Sequence, residues 1–222
     1  MYRISVTTIE KFRRYIVSAS MFDTEEALIE TIKGVFLGND KTKTGGAFHK
    51  LIEGDFTKDK NYYYADGIAF TKEQAQPAFD YKQNHLQMIH EVPVTRVYQV
   101  GEHTIQVSGR ADGMEGITVR DAKTKFSAPD YQEYMDSLQW RLYLHMLDLN
   151  VFYYDVFEVR GFKQLEPLAG NILHLPGVSF RPGELLKCES YPDMYNECMY
   201  WLREFMEYIR HRNFYHLLKQ VN

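Results

Sequence analysis

The sequence predicts an α/β fold in which a central mixed β-sheet is flanked by helices. Three observations predict it. Helical spacing of apolar residues dominates up to about residue 90, and strand-like alternation of β-branched and aromatic residues begins at Glu91. A helical stretch interrupts these strands, and an amphipathic helix over about 192–212 closes the chain. Helices, then a sheet with an inserted helix, then a helix is a mixed α/β order.

The composition is that of a folded chain with a substantial core. The 222 residues are 45% hydrophobic and 15% aromatic, which excludes a disordered chain and is enough for one domain over 1–222. A net charge of −4 argues against binding nucleic acid through bulk charge. The lysine-rich stretch 41–60 can supply part of a local basic groove, and the alternative for such a run is a solvated loop.

Cysteine usage and hydropathy exclude several classes of protein. The two cysteines, Cys188 and Cys198, form no CxxC or Cys/His cluster, so a zinc site, an iron–sulfur cluster and a disulfide scaffold are not expected. The sequence contains neither a signal peptide nor an apolar run of membrane-spanning length. We therefore expect a cytoplasmic protein with no membrane partner.

Capping patterns predict the helices of the first half. Thr7 and Glu10 form a capping-box pattern for the first helix, and Asp23 with Glu26 begins a second helix that ends near Gly38. Further elements are a loop over 39–46, a short helix over 47–54 ended by Gly54, and a helical pattern over 72–90 in which Pro77 marks a break or a late start.

The second half predicts strands around one helix. A helix over 130–148 begins with the capping-box pattern of Asp130 and Glu133. Alternation of β-branched and aromatic residues predicts strands over 91–100, 103–112, 116–124, 150–162 and, last, 171–180.

Two carboxylates and a lysine are predicted to share one face of a hairpin. A two-residue turn at 115–116 pairs Met114 with Ile117, and therefore Asp112 with Val119. Because side chains repeat every second residue along a strand, Asp112, Asp121 and Lys123 lie on one side of the sheet.

This cluster predicts a divalent-metal site for phosphodiester chemistry. Carboxylate oxygens suit Mg²⁺ or Mn²⁺, and a bound ion stabilises charge on a phosphodiester and lowers the pKa of a bound water. Lys123 can orient or help to deprotonate that water and offset charge in the transition state. The alternative, which the short pattern leaves open, is an exposed strand face carrying a salt bridge.

Gln139 and Tyr143 are four residues apart and therefore share a helix face. They follow the strand of Asp121 and Lys123, so they can hydrogen-bond to a phosphate or to the lysine. The alternative is that Gln139 merely flanks a core stripe.

Several short motifs occur in one order between residues 5 and 160. After an opening helix come GGAFHKLIEG with His49, a strand that begins near Glu91, GRADG with Asp112, DAK with Asp121 and Lys123, and QWRLY with Gln139 and Tyr143. In these motifs and their order the sequence resembles the PD-(D/E)XK nuclease superfamily, in particular its RecB-like and phage lambda-exonuclease-like branch.

The resemblance implies a restriction-endonuclease-like core over about 45–160, with a helical N-terminal part and a C-terminal strand and helix. It also implies roles for single residues: His49, Asp112 and Asp121 as ligands of Mg²⁺ or Mn²⁺, Glu91 at an acidic catalytic position, Lys123 as the catalytic lysine, and Gln139 and Tyr143 as substrate-binding residues. Asp121 stands where this branch often has glutamate, the iron–sulfur cysteines of some members are missing, and nothing after residue 160 matches.

The implied function is metal-dependent hydrolysis of DNA, first as a phage-type exonuclease on double-stranded ends. The implied partners are DNA and either copies of the same chain, as in the ring-like trimers of relatives, or a recombination protein. Two alternatives remain open: an inactive nuclease-like module for DNA binding or assembly, and a restriction- or repair-type endonuclease. A non-haem iron oxygenase is the weakest alternative because the sequence contains no His-x-Asp pair.

Overall fold

A mixed β-sheet with helices against both faces organises the chain, which confirms the predicted fold class. The computed structural model describes residues 1–18, 20–35, 38–127 and 131–221. The first half contains β1 (Tyr2–Ser5), α1 (Val6–Val17), α2 (Glu25–Lys33), α3 (Asp40–Glu53), β2 (Thr57–Lys58), β3 (Tyr63–Ala65), β4 (Ile68–Phe70) and α4 (Lys72–Asn84). The second half contains β5 (Ile89–Val100), β6 (His103–Glu115), β7 (Thr118–Lys125), α5 (Tyr131–Asp136), α6 (Leu138–Leu147), β8 (Val151–Arg160), β9 (Glu166–Ala169), β10 (Ile172–His174), β11 (Ser179–Glu189), α7 (Met194–Arg212), a 3-10 helix (Tyr215–Leu217) and β12 (Lys219–Gln220).

The main sheet has the order β11-β8-β7-β6-β1-β12, and β5 pairs with β6. The β7–β8 and β1–β6 pairs are parallel, whereas β5–β6, β6–β7, β8–β11 and β1–β12 are antiparallel. A second, smaller sheet has the order β2-β3-β4-β10-β9. The strands β2, β3, β4 and β9 were not predicted. These strands are two to four residues long, too short to show alternation.

Two hydrophobic cores lie on opposite faces of the main sheet. One is built between the sheet and α1, α6 and α7, and its fully buried members include Phe12, Ile105 and Phe205. The other, which we call the second core, is built between the sheet, α3, α4 and the smaller sheet, around Phe48 and Phe70. Removing these side chains from water supplies the main driving force for the layered fold.

The predicted starts of α1 and α2 are wrong by one or two residues. Ser5 caps α1, with its hydroxyl accepting the Thr8 N–H at 3.0 Å, so Thr7 lies inside the helix. Thr24 caps α2 by accepting the N–H of Ala27. Asp23 is instead buried, and its carboxylate accepts a hydrogen bond from Lys11 at 2.7 Å. In each case a neighbouring hydroxyl was better placed to cap the helix.

Two of the three predictions that rest on glycines of the first half are wrong. Gly34, with a φ of +71°, ends α2 before Gly38 is reached. The predicted loop over 39–46 is also wrong, because Asn39 caps α3 and the helix runs through Gly45 and Gly46. Gly54, with a φ of +88°, ends α3 as predicted.

Three further elements differ from the prediction. Thr71 and Gln74 form the capping box of α4, and Pro77 lies inside that helix without ending it. The helix predicted over 130–148 is divided into α5 and α6 by Ser137, whose hydroxyl caps α6 at the Gln139 N–H. Asp130, the residue predicted to cap it, lies outside the described residues. The strand predicted over 171–180 is the short β10 followed by the start of β11.

Helix α7 packs one face on the first core and buries Cys198, Leu202 and Phe205 completely. Cys188 on β11 is also buried, and both thiols are free. Burial raises the pKa of Cys188 to about 11 and that of Cys198 to about 12. Within the described ranges, no helix combines the length and the apolarity needed to cross a membrane.

Candidate active site

The hairpin of β6 and β7 places the predicted carboxylates, with a register two residues away from the predicted one. Met114 lies opposite Val119 instead of Ile117, because Gly116 adopts a φ of +58° and the turn is centred one residue later. A shift of two residues keeps every side chain on its face. Continued by one step, the observed register sets Asp112 opposite Asp121, so the two carboxylates are closer than predicted.

Strand β6 leaves β7 at this point, and the sheet forks. The β6–β7 ladder ends at Gly113 and Arg120, and further along the same edge β6 pairs with β1 over residues 105–108. Between these ladders, residues 109–112 have no strand partner on this edge within the described part of the chain. The fork gives the two carboxylates a space between separated strands.

Tyr143 on α6 fills the fork. Its hydroxyl accepts the N–H of Arg110 at 3.1 Å and donates to the carbonyl of the same residue at 2.8 Å. One side chain thus satisfies backbone groups that would otherwise lack a strand partner. A Cβ atom at Gly109 would stand 2.7 Å from this hydroxyl, so the tyrosine requires a glycine there. The observed contacts make Tyr143 a residue that holds the site, and a contact with substrate stays a prediction.

Asp121 is the buried centre of the cluster. Its side chain is 4% exposed, and its Oδ2 atom lies 2.7 Å from the Nζ atom of Lys123 and accepts a hydrogen bond from Gln139 at 3.0 Å. Burial alone would raise the pKa of Asp121, but the charge of Lys123 lowers it below its ordinary value. A salt bridge on an exposed strand face, the alternative considered from the sequence, does not describe this pair, because the carboxylate of Asp121 is buried.

His49 reaches the cluster from α3. Its Nδ1 atom lies 3.3 Å from the Oδ2 atom of Asp112. Helix α3 lies close against β7, since a Cβ atom at Gly45 would stand 2.7 Å from the Oγ1 atom of Thr124. Burial lowers the pKa of His49, which favours the neutral imidazole that can bind a metal ion.

Asp112 favours its protonated form near neutral pH. Burial, and then the charge of Asp121, raise its pKa to about 9. Two carboxyl groups within hydrogen-bond reach cannot both ionise without cost, so one retains a proton unless a cation offsets the charge.

The donor set fits a divalent cation. The Oδ1 atom of Asp121 is buried and accepts no hydrogen bond from any N–H or hydroxyl group of the described residues, and the carboxyl group of Asp112 lies beside it. An unpartnered carboxylate oxygen next to a second carboxyl group is suited to a hard cation. Among the described residues, no group of three or more His, Cys, Asp or Glu side chains is arranged to hold a metal ion, so His49, Asp112 and Asp121 stay predicted ligands.

Glu91 and Arg110 lie at the margin of the site. Glu91 has a φ of +55° within β5, and its carboxylate accepts a hydrogen bond from Arg110 at 2.9 Å. Its charge also contributes to the raised pKa of Asp112. Arg110 was not predicted as a site residue. Strand alternation was the available signal, because it places Arg110 on the same face as Asp112.

A cleft of about 610 Å³ opens beside the cluster. We call it the main cleft, and its lining includes Lys41, His49, Lys50, Glu91, Lys123 and Phe126. Among its cationic side chains, Lys41 and Lys50 belong to the stretch 41–60, which was expected to supply part of a basic groove. Three acidic residues also line it, so the main cleft itself is not strongly positive.

Comparison with known proteins supports the fold alone. No model of a known protein family matches, and neither does any curated protein. The crystal structure of SSO0001 is similar to this chain with a TM-score of 0.53 at 14% sequence identity. The similarity covers 93% of this chain and 76% of the other.

Proposed function

We propose that this chain is a metal-dependent deoxyribonuclease of the PD-(D/E)XK type. One observation carries the proposal: at the point where β6 and β7 separate, Asp112 and Asp121 face each other, with Lys123 and Gln139 on Asp121 and His49 on Asp112. The residues come from β6, β7, α6 and α3, so the fold brings together motifs that are up to 90 residues apart in sequence, from His49 to Gln139. A salt bridge alone would not require this convergence.

The residues divide the work of phosphodiester hydrolysis. Asp112, Asp121 and His49 would hold Mg²⁺ or Mn²⁺, and Glu91 lies close enough to add negative charge. A bound divalent ion supplies a Lewis acid for the phosphate and a water of lowered pKa. Gln139 fixes the orientation of Asp121 through its amide, as partners of metal ligands do.

Lys123 acts as a cation in this arrangement. Burial alone would lower its pKa, but the charges of Asp121 and Asp112 raise it above the ordinary value. Its side chain is 30% exposed and lines the main cleft, so the ammonium group can reach a phosphate that enters there. The lysine therefore orients the attacking water and offsets charge that develops on the phosphate.

The test is cleavage of DNA by the protein with Mg²⁺ or Mn²⁺. We expect degradation of linear double-stranded DNA, and no activity in Lys123→Met. Lys187→Met is the matched control, because Lys187 also lies on a strand, 2.6 Å from the carboxylate of Glu189 two residues away. Loss of activity in Lys123→Met alone supports the proposal. Equal activity in both variants, or no cleavage by the wild type, contradicts it.

The type of nuclease is read from the same experiment. Degradation of linear DNA with intact closed circles supports an exonuclease, the form we propose first, and nicked circles support an endonuclease with the same site. Retarded but uncut DNA supports the non-catalytic binding module. A homo-oligomer, such as a ring-like trimer, and a recombination protein are proposed partners, and we propose the cytoplasm as the location.

A further inference from the structure

Two clefts of the molecule adjoin at one phenylalanine. The main cleft, which contains His49 and Lys123, is also lined by Phe126. Phe126 in turn lines a second cleft of about 420 Å³, together with Arg160 and Phe162. A chain-like ligand that extends from the main cleft can therefore pass over Phe126 into the second cleft.

The two phenylalanines lie just beyond the carboxyl ends of two neighbouring parallel strands. Phe126 directly follows β7, and Phe162 follows β8, which runs parallel to β7. Their ring centroids are 4.9 Å apart, and the rings meet edge to face. Phe126 lies three residues beyond Lys123, which corresponds to about 10 Å along a strand.

Both rings are half-buried and firmly supported. Each packs against the second core on one side and remains partly exposed on the other. The segment after Phe162 is tied to α3, since the N–H of Leu165 donates to the carboxylate of Asp40 at 3.2 Å. A supported aromatic surface loses little conformational entropy when a flat ligand stacks on it.

Cationic side chains surround this aromatic pair. Arg160 is 62% exposed on its side chain, and Lys163, next to Phe162, is also exposed. Lys41 adds a cation where the main cleft begins. Among the residues of the second cleft, Glu158 pairs with Arg160 at 2.6 Å and partly offsets this charge. A mildly basic surface with aromatic rings suits a polyanion that carries flat groups.

We infer that Phe126 and Phe162 form a stacking platform for single-stranded DNA, with the phosphates beside Arg160 and Lys163. Inside a duplex the neighbouring bases cover both faces of each base, so a base other than the terminal one must be unpaired before it can stack on a protein ring. The inference rests on the proposed function and deepens it: the strand end that is cut is unpaired when it lies in the main cleft.

Binding without a divalent cation tests the platform separately from cleavage. The probe is a fluorescein-labelled oligothymidylate, followed by fluorescence anisotropy in EDTA, with the corresponding blunt duplex for comparison. The variants are Phe126→Leu and Phe162→Leu, which keep apolar volume and remove the ring, and Phe126→Tyr, which keeps the ring. The matched control is Phe56→Leu, because Phe56 also packs against the second core but lines neither cleft.

We expect each platform leucine variant to bind the oligothymidylate at least about fivefold more weakly, as loss of one stacked base implies. Phe126→Tyr and Phe56→Leu should bind like the wild type, and duplex binding should change little. Equal binding by all variants, a loss in Phe56→Leu as well, or no binding of the oligothymidylate overturns the inference. Ring-dependent binding without any cleavage would uphold the platform and refute the proposed function, and cleavage without ring-dependent binding would do the reverse.

Discussion

Replacing Tyr143 with phenylalanine should destabilise the protein, and the analogous change at Tyr98 should not. The two tyrosines are 4% and 5% exposed, so both rings are buried to the same extent. The hydroxyl of Tyr143 makes two hydrogen bonds with the backbone of Arg110, whereas that of Tyr98 is buried and contacts no described hydrogen-bond partner. The pair isolates the contribution of the hydroxyl at the fork.

The magnitude follows from the groups that the hydroxyl leaves behind. Tyr143→Phe leaves one N–H and one carbonyl of Arg110 without their partner, and a buried polar group without a partner costs about 1–3 kcal/mol. Tyr98→Phe removes an unsatisfied hydroxyl, so its free energy of unfolding should be unchanged or higher by about 1 kcal/mol.

Urea denaturation followed by circular dichroism measures both changes. For a slope of about 2 kcal/mol per molar urea, the midpoint of Tyr143→Phe should fall by roughly 1 M. The midpoint of Tyr98→Phe should stay at or above that of the wild type. The reasoning is refuted if Tyr143→Phe unfolds at the wild-type urea concentration, or if both variants lose the same stability.

Three further predictions concern helix packing, the site and the dependence on pH. In urea denaturation, Gly45→Ala should be less stable than Gly46→Ala by at least about 1 kcal/mol. A Cβ atom at Gly45 meets a side chain of β7, whereas a Cβ atom at Gly46 enters open space, where alanine stabilises the helix. Gln139→Leu should slow DNA cleavage about 10–100-fold and weaken Mn²⁺ binding measured by calorimetry, because Asp121 loses its amide partner. Its far-ultraviolet circular dichroism should stay that of the wild type, and an unchanged cleavage rate would contradict this role. Burial alone would raise the pKa of Asp23, but the hydrogen bond from Lys11 lowers it. The difference in stability between the wild type and Asp23→Asn should therefore be largest above about pH 4 and should shrink as the pH falls through the lowered pKa. Thermal melts across this range check it, and a difference that persists at the lowest pH would contradict it.

Strand alternation predicted β5, β6, β7 and β8 of the main sheet and the faces of the site, whereas β1, β12 and most of β11 were not predicted. The register of the hairpin was wrong by two residues, yet the face of Asp112, Asp121 and Lys123 was right because side-chain direction depends only on odd or even position. What alternation could not provide is the fork. It arises because β1 replaces β7 beside β6, a pairing between residues more than 100 positions apart.

The errors in the helices have two different causes, one tertiary and one local. The glycine pair in α3 suggests a loop, but Gly45 is selected by its close approach to Thr124, which only the tertiary structure reveals. Ser137 divides the predicted helix because its hydroxyl caps α6, and serine inside a helical pattern gives no strong signal. The platform of Phe126 and Phe162 was not predicted either, since the two rings are 36 positions apart and meet only through the pairing of β7 with β8.

The burial of the two cysteines makes the chain well suited to site-specific labelling. Alkylating probes react with thiolates, and both native thiols are withdrawn from solvent with their pKa raised to about 11 and about 12. A cysteine introduced at an exposed position such as Lys163 would therefore react selectively, with no need to replace the native pair. A fluorophore attached there would stand beside Phe162 and would report whether a DNA strand binds at the proposed platform, with the rest of the natural sequence unchanged.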